Sequence, residues 1–148
     1  MDRLCIILVL SAIAAHVCVA SKFQDCGSAA KVNTVVISDC PDSLDECPLK
    51  RGTEASINIA FKSNSETKTL KAIVHGIISG VPLPFPLPQP DGCKSGVSCP
   101  VQKGQSYTYA NKLKVKNSYP PLAVTVKWEL KDENNNDLIC VEIPCKVQ

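Results

Sequence analysis

The chain is short of the residues that catalysis leans on. Histidine occurs twice in 148 residues, at His16 and His75, and only His75 lies beyond the N-terminal apolar run. No G-x-S-x-G or H-E-x-x-H occurs, so no nucleophile or metal base stands at a recognisable spacing. Cysteines are present but never as CxxC, and with one histidine to help them a zinc site lacks its ligand set. Charge of one sign is lacking too. Sixteen Lys and Arg stand against fourteen Asp and Glu, a net +2. Scattered lysines such as Lys62, Lys71, Lys103, Lys112 and Lys116 make no electrostatic case for nucleic acid. Helical periodicity is absent beyond residue 20, as is any Asn-x-Ser/Thr sequon. The acids fall mostly at turns, where solvation accounts for them. These absences exclude most enzymes, and neither cofactor nor metal is expected.

One long apolar run is present. Arg3 precedes "LCIILVLSAIAAHVCVA", which ends in small residues, the pattern of a secretory signal peptide cut after Ala20. The expected domain is 21–148, secreted, and long enough for a single core. Of nine cysteines, Cys5 and Cys18 belong to the leader, leaving seven. In an oxidising compartment they read as a disulfide framework with one thiol over. Cys40 with Cys47 and Cys93 with Cys99 can close small loops. On the last apolar run Cys145 shares a face with Ile143, whereas Cys140 shares one with Glu142. An inward thiol behaves as a small hydrophobe, so Cys145 is expected free and Cys26 paired with Cys140. An intermolecular disulfide would need Cys145 to face out.

Period-two alternation marks the strands. In 55–61, Ile57, Ile59 and Phe61 share a face. In 122–130, Leu122, Val124, Val126, Trp128 and Leu130 alternate with Ala123, Thr125, Lys127 and Glu129. In 138–147, Ile139, Val141, Ile143, Cys145 and Val147 line up. Runs at 31–38, 70–78 and 105–115 are weaker. Turn signals such as "DCPDSLDECP", "SNSET" and "DENNND" separate them. Six or seven short strands predict an all-β, immunoglobulin-like sandwich.

The segment "VPLPFPLPQPDGCKSGVSCP" at 81–100 has proline at every second position from Pro82 to Pro90. Proline gives no N–H to a ladder, so the segment is an edge or a loop and never a central strand. Its apolar residues need a surface to lean on. A stiff apolar loop clipped at one end by Cys93 and Cys99 suits the rim of a cavity. Asp91 before Gly92 is a good turn former.

The segments "FQDCGS" (23–28), "VHGIISGVPLPFPLPQPDGCKSGVSCPVQKGQSYTY" (74–109), "NKLKVKNSYP" (111–120) and "ICVEIP" (139–144) resemble the ML lipid-recognition domain family, close to its small lumenal sterol carriers. The resemblance spans 21–148. It implies a sandwich of about seven strands whose sheets part at one end to admit a sterol or other lipid. It implies a mouth formed by Phe85, Val115, Tyr119 and Pro120, with Val74 and Leu83 in the lining and Trp128, Val141 and Ile143 deeper. It implies that His75, Gly76, Ile77, Ile78, Gly80 and Val81 form a knob pressed against membranes or a sterol-accepting membrane protein, with Asp91 serving transfer. It implies the same three disulfides. The expectation is a secreted monomeric carrier of one hydrophobic ligand, with transient membrane contact. Carriage of fatty acids or semiochemicals, or a lipid-sensing role in innate immunity, are the alternatives. Delivery to the lysosome lumen has no sequon to support it.

Overall fold

The computed structural model describes the backbone of residues 5–10, 13–18 and 20–148, with side chains from residue 20 onward. Strands β1 (Cys5–Leu10) and β2 (Ile13–Cys18) pair antiparallel in a sheet of their own. The leader's side chains lie outside the described residues, and its cleavage stays an expectation.

Nine further strands make two facing sheets, all-β as expected. They are β3 (Gln24–Asp25), β4 (Lys31–Ile37), β5 (Cys47–Leu49), β6 (Thr53–Lys62), β7 (Lys71–Ile78), β8 (Val81–Phe85), β9 (Ser106–Val115), β10 (Ala123–Lys131) and β11 (Asp137–Val147). The smaller sheet runs β4-β6-β9 and the larger β3-β11-β10-β7-β8. Strand β5 joins the larger sheet by pairing parallel to the end of β11. The six alternating runs of the sequence are β4, β6, β7, β9, β10 and β11. Strands β3 and β5 carried no signal, because two or three residues cannot display a period. Their pairing comes from β11, which offers its free edge to each in turn.

The inner faces follow the alternation. Ile57, Ile59 and Phe61 of β6 and Val126, Trp128 and Leu130 of β10 are all buried. Leu122 lies one residue before β10 and is 43 % exposed, where it borders the opening between the sheets together with Val124 and Val126. The proline segment becomes the edge strand β8. Pro82 and Pro84 stand opposite Ile77 and His75 of β7. Only β7 pairs with β8, so the missing N–H groups need no second neighbour. The β7–β8 connection is Ser79-Gly80, with φ of 51° and 79°. Two positive φ values make the tight turn whose twist suits a hairpin.

Disulfides join Cys26 to Cys140, Cys40 to Cys47 and Cys93 to Cys99. Cys145 is free and buried. It stands in register beside Cys47, whose sulfur is already bonded to Cys40. Burial foremost, with the charge of Glu46, pushes its pKa up to about 12. Thiolate is the reactive form, so the group is inert at neutral pH. Native protein is therefore expected to resist a thiol reagent and to take up one equivalent after unfolding without reductant. Rapid native labelling, or a covalent dimer on a non-reducing gel, would contradict a buried thiol.

The outer face of the larger sheet departs from simple polarity. Glu129 is buried, and Lys131 Nζ lies 3.1 Å from Glu129 and 2.9 Å from Asp137. Asp137, expected in a turn, is the first residue of β11. Burial foremost, and the neighbouring Glu129, raise the Asp137 carboxyl above its ordinary range. Burial also pushes Glu129 up, but hydrogen bonds with Asp137 and Lys131 outweigh it and leave Glu129 lowered. His75 Nδ1 lies 3.9 Å from the same Glu129. Cys140 completes a compact group with the two carboxyls, but its sulfur is committed to Cys26 and the Lys131 ammonium bridges the acids. The group is an ion-paired brace.

Candidate functional site

The two sheets part at the end where β7 meets β8 and β9 runs out. A cavity of about 410 Å³ opens there. Its first wall is Val74 and Gly76 of β7, Leu83 and Phe85 of β8, and Val124 and Val126 of β10. The second is Leu113 and Val115 of β9 with Tyr119 and Pro120 of the connection that follows. Leu49 and Val147 close the third side. Gly76 matters by what it lacks. A Cβ there would stand 3.3 Å from Val124 Cγ2, so the space beside Val124 exists because no side chain fills it. The volume lies in the range that binds small hydrophobic molecules.

The mouth is spanned by one aromatic contact. Phe85 from the larger sheet meets Tyr119 from the β9–β10 connection edge to face, centroids 5.7 Å apart. Lys114 and Lys116 stand at the rim. Beside them the Ser79-Gly80 hairpin carries apolar side chains into solvent: Val81 is 57 % exposed and Leu83 49 %. Exposed apolar groups thus stand directly beside the apolar opening.

Behind this cavity lies a small inner space of about 20 Å³. Leu49, Leu113 and Val126 border both. Ile57, Trp128, Ile143 and Cys145 are among its other walls. The inner space holds about one methyl group or water. A broader depression on the outer face, by Lys22, Asp45, Thr125 and Glu142, is open and polar. It has none of the apolar enclosure that a hydrophobic guest needs.

The structure distributes the expected residues unevenly. Phe85, Val115, Tyr119, Pro120, Val74 and Leu83 line the main cavity. Trp128 and Ile143 line the inner space. Val141 lines neither; it is fully buried opposite Trp128 and packs in the core. The set expected at a membrane divides. Ile77, Gly80 and Val81 belong to the hairpin tip, whereas Gly76 and Ile78 also border the cavity. His75 borders it too, and its imidazole turns toward Glu129. Asp91 is elsewhere: it bridges to Lys71, the far end of β7 from Ile78, and its carboxylate accepts from Cys93 N at 2.9 Å. At ~3.3 Å per residue that is roughly 23 Å along the strand. There it caps the short 3-10 turn Gly92–Lys94.

Several cavity residues had no reading as ligand contacts. Val124 and Val126 were legible as inner face, and parity alone cannot tell a filled core from a hollow one. Val147 was likewise legible as inner face, whereas Leu49 was not, because it reaches the cavity only through the β5–β11 pairing.

Comparison with known proteins agrees with this geometry. The ML domain family matches residues 20–147. The bovine (Bos taurus) NPC intracellular cholesterol transporter 2 is 48 % identical over 128 residues, covering 86 % of this chain and 85 % of the relative. The Drosophila melanogaster NPC intracellular cholesterol transporter 2 homolog a is 47 % identical over 131 residues, covering 87 % and 88 %. Among solved structures, a Niemann–Pick type C2 protein from the Japanese carpenter ant superposes with a TM-score of 0.81 at 33 % identity, covering 86 % of this chain and 99 % of that one. Chicken MD-1 complexed with lipid IVa superposes at 0.52 with 18 % identity, covering 82 % and 85 %, which shows a shared fold alone. By its sequence match and its splayed sandwich, the chain belongs to the ML domain family.

Proposed function

We propose that this protein is a secreted carrier that shields one hydrophobic ligand, a sterol, and exchanges it with membranes. The observation that carries this reading is the cavity of about 410 Å³, walled by apolar side chains from both sheets and open beside exposed apolar residues. Burial of apolar surface supplies the affinity and needs no bond chemistry. The sterol is favoured because the relatives that match across most of the chain are named as cholesterol transporters. Neither the buried Glu129 brace nor the inert Cys145 faces the main cavity as a reacting group, which supports a role without catalysis.

Export in the monomeric form fits the leader and the disulfides, with the lysosome lumen as the second destination. A second ligand class has one observation in its favour. Lys114 and Lys116 at the rim would pair with the carboxylate of a fatty acid. Titration with a fluorescent sterol, competed by cholesterol and by oleate, decides between them.

Transfer requires the mouth to meet a bilayer, and the hairpin tip is the surface placed to do so. Ile78 borders the cavity and would confound the test, whereas Val81 does not. Val81→Asp is expected to slow sterol transfer between anionic vesicles by about tenfold or more, consistent with roughly 2.5–3.5 kcal/mol for a carboxylate in hydrocarbon. Equilibrium sterol binding is expected to stay nearly intact. Equal loss of both would reject a separate docking role.

A further inference from the structure

One hydrogen-bonded chain crosses between the sheets. Trp128 of β10 donates its indole N–H to the Tyr109 hydroxyl of β9 at 3.2 Å. The rings meet edge to face with centroids 6.0 Å apart. Asn111 Nδ2 donates to the same hydroxyl at 2.8 Å and to the Gln89 carbonyl at 3.0 Å. Asn111 Oδ1 in turn accepts from Lys112 N at 2.7 Å, which fixes the amide's orientation. Tyr109 and Trp128 are almost fully buried. Burial foremost raises the phenol above its ordinary pKa, so it stays neutral.

This chain ties three things together: the two sheets, the end of the proline segment at Gln89, and the indole that walls the inner space. A tryptophan held only by packing can turn when a guest pushes on it. One whose N–H is bonded cannot turn without leaving a buried donor unpaired. From this geometry we infer that Tyr109 is a positioning residue that sets ligand length. By holding Trp128 it fixes the end wall behind Leu113 and Val126, and the wall limits how far the leading end of a guest can advance. Asn111 extends the restraint to Gln89, near the end of the proline segment whose Phe85 stands at the mouth. The inference rests on the carrier reading above and adds its length limit.

Competition against dehydroergosterol tests it with two sterols, cholesterol and an analogue whose side chain is longer by several carbons. Wild type is expected to prefer cholesterol. Tyr109→Phe keeps the ring but removes the acceptor, so the preference is expected to fall at least tenfold. Emission from Trp128, the only tryptophan, is expected to shift. A purely structural role for Tyr109 would weaken both sterols together and leave their ratio unmoved, which would overturn the inference. Cys145→Leu is the independent variant, because it fills the inner space from the opposite wall. It is expected to sharpen the preference for sterols with short side chains, and an unchanged preference would likewise overturn the inference. Wild type that binds none of these sterols would instead overturn the carrier reading itself.

Discussion

Joint replacement of Cys26 and Cys140 by alanine is expected to lower the free energy of unfolding by about 2–5 kcal/mol, the largest loss of the three disulfides. The bond spans 114 residues, against 7 for Cys40–Cys47 and 6 for Cys93–Cys99. Closing a longer loop removes more entropy from the unfolded chain, roughly in proportion to the logarithm of its length. The native side adds to the effect. Cys26 N donates to the Cys140 carbonyl at 2.9 Å, and Ser28 Oγ accepts from Cys140 N at 2.8 Å. The disulfide thus clamps the short strand β3 to the sheet edge where it would otherwise fray. Alanine suits the test because Cys140 is fully buried and a serine hydroxyl there would need a partner. Denaturant titration of this variant beside Cys40→Ala/Cys47→Ala reads the difference. An equal or greater loss from the short loop would reject the entropy argument.

Truncation of Phe85 is expected to act on ligand far more than on folding. Phe61 is fully buried in β6, and removing such a ring costs about 3–5 kcal/mol of stability. Phe85 is half-buried, on an edge strand, facing the cavity and Tyr119. Its ring covers the guest more than it fills the core, so its loss removes about 1.5–3 kcal/mol of apolar burial, ten- to a hundredfold in affinity. The prolines around it strengthen the expectation, since a pre-stiffened strap loses little entropy on closing. Phe85→Ala is therefore expected to weaken sterol binding by at least about tenfold while ligand-free melting shifts by only a few degrees. Phe61→Ala should do the reverse. A fluorescent-sterol titration alongside thermal unfolding of delipidated protein measures both. Unchanged affinity with a large drop in melting temperature would make Phe85 a core residue.

Much of this protein was legible in the chain alone. Alternation placed Ile57, Trp128 and Ile143 on inner faces because a strand's side chains take opposite sides by covalent geometry. Parity on one strand separated Cys145 from Cys140 for the same reason. Prolines sent 81–90 to an edge because they have no N–H to share. These are local properties, and local sequence carries them. What only the tertiary structure decided depends on how the sheets sit against each other. Val141 and Val126 alternate identically, yet one fills the core and the other walls the cavity. Leu49 reaches the cavity through a three-residue strand that β11 pairs into place. Asp91 and Ile78, expected to work together, stand at opposite ends of β7. Glu129, on the face opposite the apolar residues of its strand, is buried beside Lys131 and Asp137. A hollow and a filled core share one pattern, because the pattern records which way a side chain points and not what stands opposite.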